Sequence, residues 1–324
     1  MLSITLLGTG AACPTVDRNV TAISLHREGE SFLFDCGEGT QRQIMRYGTG
    51  FSFQEVFFTH FHGDHILGIT GLLRTMSLLD RTEPVVLYGP PHSKRILGGL
   101  LNVGVDRAKF PVEIIELTPG TRLGRKEYDI WAFEADHRQG SLGYALVEHD
   151  RLGRFDPERA RAMGIPEGPL WGKIHRGEVI QLADGKTVGP EALVGPARPG
   201  RTVVLTGDTR PSPATVAAAR GADLLIHDAT FGEEDASRAH ETGHSTARQA
   251  AQVAWDAGVK KLVLTHISAR YTREAPELLA EARAVFPNTL VARDGMVVEI
   301  PFVGEAEGSG DGAAGGDSGE CHSG

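Results

Sequence analysis

The sequence predicts an α/β fold in which β-sheets are covered by helices, an αββα-like body. Short apolar and β-branched runs recur along the 324 residues, with stretches of helical apolar spacing between them. Several of the runs end directly in a histidine or an aspartate, as functional strand ends often do. A chain of this length can bury one large core, so we predict a single layered body over residues 1–303.

The predicted strands share apolar, β-branched runs bounded by turn residues. They cover residues 4–7, 21–25, 32–34, 56–59, 85–88, 112–115, 130–133, 142–147, 202–206, 224–226, 262–265 and 297–300. The predicted helices share apolar residues spaced three and four apart. They cover residues 40–47, 66–79, 93–101, 214–220, 245–257 and 275–286.

Residues 151–178 break this pattern, because they have little strand signal and concentrate Gly and Pro at 164–172. Basic residues surround that stretch, namely Arg151, Arg154, Arg159, Arg161, Lys173, His175 and Arg176. Composition alone leaves two interpretations open: a protruding basic arm, or an ordinary surface loop with a short helix at 157–163.

The formal net charge of −9 is unevenly distributed. Residues 304–324 contain five acids, no Lys or Arg, and mostly Gly, Ser and Ala, so we predict a disordered tail there. The remaining body is only mildly acidic. A polyanionic partner is therefore not excluded, because it needs a local basic surface and not a basic average.

No apolar run approaches the ~18 residues of a membrane span, so we predict a cytoplasmic protein without a membrane partner. The three cysteines are odd in number and have no CxxC spacing. Neither a disulfide framework nor a cysteine zinc site is indicated. Cys13 and Cys36 are predicted to be small buried apolar residues.

The segment 59–65, Thr-His-Phe-His-Gly-Asp-His, places three imidazoles and a carboxylate between an apolar strand and a helix. Such ligands suit zinc, with manganese or iron(II) possible, and the lack of cysteine argues against a closed structural site. A catalytic metal site on a strand-to-helix turn is the favoured interpretation. The alternative is a polar loop whose histidines are solvated.

Three further polar residues follow apolar strands in the same way: His137, Asp208 and His266. With the first motif they make five histidines and two aspartates. That set is enough for two metals ~3.5–4 Å apart that share a bridging carboxylate, an arrangement used for phosphoester hydrolysis.

These motifs resemble the metallo-β-lactamase superfamily and, within it, the short form of the tRNA 3′-processing endoribonucleases called tRNase Z or RNase Z. The resemblance covers residues 1–303 and implies a metallo-β-lactamase αββα sandwich with a flexible arm. Its motifs are Gly-Thr-Gly-Ala at 8–11 with Pro14, Arg18 and Asn19; 34–41; 59–65; Asp136-His137; 207–209; 243–246; and 264–271.

The resemblance implies two Zn²⁺ per subunit, with Mn²⁺ or another divalent metal possible, and precursor tRNA as the substrate. One ion would be held by His60, His62 and His137, the other by Asp64, His65 and His266, with Asp208 bridging. A metal-bridging hydroxide would attack the scissile phosphate and release the 3′ trailer. The tRNA would keep a 3′-hydroxyl and the trailer a 5′-phosphate. Asp64 is also a candidate to orient or deprotonate the nucleophile.

His244 is the candidate proton donor to the leaving 3′-oxygen, because it precedes a predicted helix at whose N-terminus phosphate is favoured. The alternative is a structural histidine of the helix cap. The family pattern His-Glu-Ala-Thr supplies a carboxylate that orients this acid; here the stretch 227–230 is His-Asp-Ala-Thr. Asp228 is thus one methylene shorter, which leaves the hydrogen-bond geometry open.

The resemblance also implies a substrate side. The Gly/Pro segment would be an arm that grips the tRNA elbow, with Gly164, Pro166, Gly168, Pro169 and Lys173 as its candidate contacts. Residues 14–19, including Arg18, would lie near the cleavage site. Val16 stands there where a lysine is usual, which leaves discrimination of CCA-bearing tails open.

Two further surface features follow from the resemblance. Arg270 would meet a phosphate or, alternatively, form a surface salt bridge. Residues 37–39, Gly-Glu-Gly, with Arg42 and Arg46 would form the region through which two subunits pair as a homodimer.

Two other functions fit the metal ligands alone. One is a di-zinc hydrolase of another branch of the superfamily, acting on thioesters or small phosphodiesters. The other is a metal- or RNA-binding protein without turnover. The motifs at 243–246 and 268–271 and the arm favour the nuclease, since metal chemistry does not require them.

Overall fold

A computed structural model of the protein describes residues 1–182 and 185–302. Within these residues two β-sheets of seven strands each pack face to face, and helices cover their outer faces. The predicted α/β, αββα sandwich is confirmed. The predicted tail at 304–324 lies outside the described residues.

The first sheet has the strand order β16-β1-β2-β3-β4-β5-β6. Its strands are β1 (Leu2–Gly8), β2 (Ala22–Arg27), β3 (Glu30–Phe34), β4 (Glu55–Phe57), β5 (Val85–Gly89), β6 (Val112–Glu116) and β16 (Val297–Glu299). Every residue of β1 is buried, because the second sheet covers one face and helices cover the other.

The second sheet has the order β15-β14-β13-β12-β9-β8-β7. Its strands are β7 (Arg122–Gly124), β8 (Tyr128–Glu134), β9 (Leu142–Glu148), β12 (Thr202–Leu205), β13 (Leu224–Asp228), β14 (Leu262–Thr265) and β15 (Thr289–Val291). β12 to β15 run parallel, and their carboxyl ends therefore meet at one edge. The short strands β7 and β15 are not in the sequence prediction.

The helices fall on the outer faces and in one added segment. They are α1 (Thr40–Tyr47), α2 (Gly63–Ile66), α3 (Ile69–Leu78), α4 (Ser93–Leu101), α5 (Pro157–Ala162), α6 (Pro169–His175), α7 (Pro190–Leu193), α8 (Pro213–Ala218), α9 (Ala236–Thr242), α10 (Ala247–Ala257) and α11 (Pro276–Arg283). A single 3₁₀ turn, Glu233–Asp235, precedes α9. In the described part of the chain, no helix combines the length and hydropathy needed to span a bilayer.

Helix 66–79 was predicted as one element, and that prediction is wrong. α2 ends at Ile66 and α3 begins at Ile69, with Gly68 between them. A Cβ at Gly68 would lie 2.0 Å from the Gly37 carbonyl oxygen, so the backbone of residues 36–37 presses against this junction. Helical spacing in the sequence carries no information about that tertiary contact.

α10 begins two residues later than predicted because Thr246 caps it. The Thr246 side chain accepts from the Gln249 amide, and the Gln249 side chain accepts from the Thr246 amide, a complete capping box. Gly258, in the left-handed conformation, ends the helix. This cap places His244 and Ser245 just before the helix and not within it.

Residues 151–198 form a small packed module, and its helix α5 matches the short helix that one interpretation of the sequence placed at 157–163. Besides α5 to α7 it contains a hairpin of β10 (Ile180–Gln181) and β11 (Thr187–Val188). It has its own buried cluster, made of Ala160, Ile165, Ile174, Ile180, Val188 and Leu193. The module extends past the predicted boundary at 178, and its flexibility stays a prediction.

Cys13 and Cys36 differ in burial. Cys36 is fully buried, as predicted, whereas Cys13 is exposed on the loop that follows β1, so its predicted burial is wrong. The apolar environment that a lone cysteine favours is absent there, because residues 12–17 are all exposed.

Candidate metal centre

All seven predicted metal ligands converge at one edge of the sandwich. His60 follows β4, His62 is the N-cap of α2, and Asp64 and His65 lie in that short helix. The remaining ligands follow three strands of the second sheet: His137 comes after β8, Asp208 after β12 and His266 after β14. Strand ends of both sheets thus supply ligands to one site, which roots each side chain in a buried strand.

The first ligand group consists of His60, His62, His137 and Asp208, whose ligand atoms all lie within 4.8 Å of one another. His62 Nδ1 lies 3.0 Å from His60 Nε2 and 3.2 Å from His137 Nε2. Asp208 Oδ2 lies 3.5 Å from His60 Nε2 and 3.8 Å from His137 Nε2. Three imidazole nitrogens and one carboxylate oxygen therefore face a common point.

The second group consists of Asp64, His65 and His266, again within 4.8 Å. Asp64 Oδ2 lies 3.3 Å from His266 Nε2 and 3.6 Å from His65 Nε2. Asp208 joins this group too, with Oδ1 at 3.3 Å from His65 Nε2 and 3.4 Å from His266 Nε2. The two oxygens of Asp208 thus face different groups, which is the placement of a bridging carboxylate.

Asp35 and Thr59 orient two of the imidazoles. Asp35 Oδ2 accepts from His65 Nδ1 at 2.8 Å and from the Thr59 hydroxyl at 2.9 Å. Because the Thr59 hydroxyl donates its proton to Asp35, its oxygen accepts a hydrogen bond from His60 Nδ1 at 3.0 Å. In both imidazoles Nδ1 is thus the hydrogen-bond donor, and Nε2 faces the site as the nitrogen that can bind metal.

Two more imidazoles are set in the same way from the second sheet. His137 Nδ1 donates to the Gly243 carbonyl oxygen at 2.7 Å. The Thr230 hydroxyl donates to Asp228 Oδ1 at 2.7 Å, so its oxygen accepts from His266 Nδ1 at 2.8 Å. Each Nε2 again faces the ligand group.

Electrostatics favour cation binding at these groups. Burial lowers the pKa of His60, His62 and His137, so these imidazoles are neutral near pH 7. Burial alone would raise the pKa of Asp208, but the neighbouring His266 and His65 hold it well below its ordinary value.

His65 differs from the other imidazoles. Burial opposes its charged form, yet Asp208 and Asp35 hold its pKa well above the ordinary value. A cation must therefore displace a proton from its Nε2.

The donor set fits divalent metal by an independent observation. Among the described residues, His65 Nε2 and Asp208 Oδ1 are fully buried and have no hydrogen-bond partner. Buried polar atoms are ordinarily paired, and both of these atoms point into the second ligand group. Imidazole and carboxylate donors without cysteine suit zinc or another borderline divalent ion.

His244 and Asp228 lie beside the ligand groups and contact each other. Asp228, fully buried at the end of β13, accepts from His244 Nδ1 at 2.8 Å despite its shorter side chain. Burial disfavours the imidazolium, but the Asp228 carboxylate outweighs this and raises the pKa of His244 to about 9. The His244 ring stacks on the His266 ring with centroids 5.1 Å apart, so its Nε2 side borders the ligand groups.

Two residues of this site have left-handed backbone conformations. Asp35 and His266 have φ angles of 55° and 59°, a region that non-glycine residues seldom occupy. Gly243 has a φ of 87°, and a Cβ there would lie 2.7 Å from His137 Nδ1. Only glycine therefore lets the 243 carbonyl reach this imidazole.

Two predicted substrate-side residues, Arg18 and Arg270, bond to other groups of the protein. Arg18 is buried, and its guanidinium donates to the Thr9 hydroxyl and to the carbonyl oxygens of Ala292 and Arg273. These internal bonds hold the 12–17 loop in place and oppose the prediction that Arg18 binds substrate. Arg270 forms a salt bridge with Asp235, the alternative interpretation of this residue.

The other predicted surface residues are exposed. They are Gly164, Pro166, Gly168, Pro169 and Lys173 in the 151–198 module, and Glu38, Arg42 and Arg46 around α1. Gly37, in contrast, is buried against Asp64. A surface groove of about 390 Å³ runs beside Gly39, Arg42, Met45 and Leu67.

The residues that orient the ligands were not predicted as site residues. Asp35, Thr59 and Thr230 each contact an imidazole through its far nitrogen. Asp35 carries a usable signal, since it directly follows an apolar strand as the predicted ligands do. Thr59 and Thr230 carry none, because a threonine at a strand end is common in any sheet.

Comparison with known proteins finds relatives named ribonuclease Z or tRNase Z. Residues 2–148 match the family model "Anti-Pycsar protein Apyc1", and residues 192–267 match the "Beta-lactamase superfamily domain". The ribonuclease Z of Gemmatimonas aurantiaca is 59% identical over 94% of this chain and 98% of that protein. The ribonuclease Z of Myxococcus xanthus is 52% identical over 93% of this chain and 99% of that protein. The crystal structure of the short form of human tRNase Z superposes with a TM-score of 0.68 at 28% identity, covering 93% of this chain and 100% of that one.

Proposed function

The chain belongs to the ribonuclease Z family, and on that premise we propose that this metal-dependent endoribonuclease removes the 3′ trailer from precursor tRNA, acting in the cytoplasm. The proposed products are a 3′-hydroxyl on the tRNA and a 5′-phosphate on the trailer. The observation that carries the proposal is the pair of ligand groups that share Asp208, with the hydrogen-bonded pair His244 and Asp228 beside them.

Two zinc ions per subunit are proposed. His60, His62 and His137 would hold one, Asp64, His65 and His266 the other, and one oxygen of Asp208 would face each. When bound, the two cations would lower the pKa of water and neutralise charge on the scissile phosphate. Asp64 is held by the Ala12 amide at 2.9 Å and is our candidate to accept a proton from the attacking water.

His244 is proposed as the general acid. Its Nδ1 proton is committed to Asp228, so the imidazolium carries its second proton on Nε2. As the bond between phosphorus and the 3′-oxygen breaks, that proton would pass to the leaving oxygen. Asp228 would keep the ring oriented and protonated without itself touching substrate.

The 151–198 module is proposed to bind the tRNA body. β9 begins beside the site, where the Leu142 amide donates to the Thr59 carbonyl oxygen at 2.9 Å, and it ends at Glu148. Seven residues at ~3.3 Å each put the root of the module about 20 Å from the metal ligands. A contact that far from the chemistry would select shape and position the cleavage, as expected for structured RNA.

Pairing of two subunits is proposed at the groove beside α1. Met45 and Leu67 line it and are 68% and 50% exposed, and Arg42 and Arg46 lie beside them. A homodimer would cover these apolar side chains and would let one subunit's module hold tRNA cut by the other.

Mapping both cleavage ends on a precursor tRNA tests the proposal. The purified chain is incubated with 5′- and 3′-labelled substrate, with and without chelator, and then after adding back zinc or manganese. We expect metal-dependent cleavage directly after the discriminator nucleotide, with the termini named above. Brisk turnover of a small phosphodiester or thioester without RNA cleavage would instead indicate another branch of the superfamily.

A deletion tests the module. Removing residues 164–172 should raise the KM for precursor tRNA while leaving turnover of a small phosphodiester unchanged, because the metal ligands lie elsewhere. An equal loss of both activities would refute a role in substrate binding.

A further inference from the structure

The 151–198 module joins the body through a narrow stem of two antiparallel segments. Arg151 and Arg198 exchange both backbone hydrogen bonds, at 2.8 and 2.9 Å, and the Gly195 amide donates to the Arg154 carbonyl oxygen at 2.9 Å. A Cβ at Gly153 would lie 1.8 Å from the Gly195 carbonyl oxygen, so the two segments are in direct backbone contact. The direction of such a stem depends on how its root is held.

The root is anchored by a buried cluster of charges. Glu148 accepts from Arg201 Nε and Nη2, both at 2.8 Å, and from Arg27 Nε at 2.9 Å. Arg201 Nη1 donates to the Ile300 carbonyl oxygen at 2.9 Å. The three charged side chains are each 7% exposed or less. Arg201 is therefore a rigid part of the body.

Phe302 lies between this rigid arginine and the stem. Its ring centroid is 3.6 Å from the Arg201 guanidinium carbon and 3.1 Å from that of Arg151. The ring reaches this place from the first sheet, since the Ile300 amide donates to the Leu2 carbonyl oxygen at 2.9 Å. One aromatic side chain thus connects the end of the first sheet, the root and the stem.

We propose that Phe302 is a positioning residue that sets the angle of the 151–198 module, and through it the alignment of precursor tRNA at the metal centre. Guanidinium groups on both faces of the ring hold it by cation–π attraction, and neither can shift without losing that contact. Since the stem is only two segments wide, a small rotation at its root moves the distant residues of the module much further. This inference depends on the proposed role of the module in binding tRNA.

The position of Phe302 allows matched variants. Phe302→Ala removes the ring, and Phe302→Tyr keeps it. A chain that ends at residue 302 retains the ring, whereas a chain that ends at residue 300 lacks it. The body residues Arg201, Glu148 and Arg27 are unchanged in all four.

Hydrogen exchange and steady-state kinetics together test the proposal. We expect Phe302→Ala and the chain ending at 300 to exchange faster at 149–155 and 194–200, with the sheets unaffected. Their KM for precursor tRNA should rise about three- to tenfold, with kcat and turnover of a small phosphodiester unchanged. Phe302→Tyr and the chain ending at 302 should behave as the unaltered protein does.

Three results would overturn the proposal: unchanged exchange in the stem, faster exchange throughout both sheets, or parallel loss of both activities. The latter two would mean that Phe302 supports the fold as a whole. Failure of the unaltered protein to cleave precursor tRNA would instead refute the proposed function. Hydrogen exchange at 149–155 and 194–200 would still show whether Phe302 stabilises the stem of the module.

Discussion

Replacing Asp228 with Asn should change the pH dependence of cleavage more than its maximum rate. Asp228 is fully buried and accepts four hydrogen bonds, from the Thr209 amide, the Thr230 amide and hydroxyl, and His244 Nδ1. Asn has nearly the same shape, but its amide nitrogen cannot accept a hydrogen bond, so only the bonds to its one oxygen remain, and it carries no charge. The variant therefore removes the carboxylate that stabilises the His244 imidazolium.

The size of the effect follows from the pKa of His244, which Asp228 raises from the ordinary 6.5 to about 9. A general acid acts in its protonated form, which is present below its pKa and lost as the pH rises through it. Without the carboxylate, the effect of burial remains and should bring the pKa of His244 to its ordinary 6.5 or below. At pH 8 the protonated fraction should then fall from about nine-tenths to about one in thirty or less, a loss of kcat of roughly thirtyfold or more. At pH 6 the loss should be much smaller, because a larger fraction of the variant is protonated there.

Single-turnover cleavage of precursor tRNA between pH 6 and 9 measures this directly. The ratio of the two rates at each pH cancels the titration of groups that both proteins share. Asp228→Glu, which keeps the carboxylate, is the matched control and should retain the alkaline limb. A loss that is the same at pH 6 and pH 8 would show that Asp228 does not act through the protonation of His244.

Three further predictions test the metal centre and the fold. Asp208→Asn should lose one equivalent of metal per subunit and cut cleavage by on the order of 10³-fold, since its two oxygens face both ligand groups; full metal content by mass spectrometry would contradict this. Thr230→Val should weaken metal affinity ~10- to 100-fold in competition with a chelating dye, because His266 loses its orienting acceptor; unchanged affinity would refute that role. Glu148→Gln should lower the free energy of unfolding in urea by ~3–5 kcal/mol, because it removes the carboxylate that pairs with the buried Arg201 guanidinium. The exposed Glu167→Gln is its control and should change it by under about 1 kcal/mol; equal effects would contradict the reasoning.

Much of the fold could be predicted because its strands are short, apolar and separated by turn residues. The helices at Thr40–Tyr47 and Ser93–Leu101 have the predicted bounds, because each begins and ends where the helical apolar spacing in the sequence does. The prediction failed where distant backbone intervenes, as at Gly68 between α2 and α3, or where an element has only two or three residues, as in β7 and β15. Those elements depend on their neighbours in the sheet more than on their own sequence.

The module shows a second limit of sequence reasoning. Its Gly/Pro content marks a departure from the main body, but not a compact unit with its own buried cluster that extends to residue 198. Arg18 shows a third. The family resemblance placed Arg18 in a loop near the cleavage site, but only the tertiary structure shows that its guanidinium donates to the Thr9 hydroxyl and the Ala292 carbonyl oxygen.

The sequence by itself determined which residues are candidate metal ligands, because each is a histidine or an aspartate at or beside a strand end, a position that local patterning marks. Only the tertiary structure decided how they act together. The division of Asp208 between two ligand groups, the hydroxyl of Thr230 that orients His266, and the reach of Asp228 to His244 all join residues from different strands. Such contacts depend on side chains from different strands being placed to within a few tenths of an ångström, and local sequence does not encode that placement.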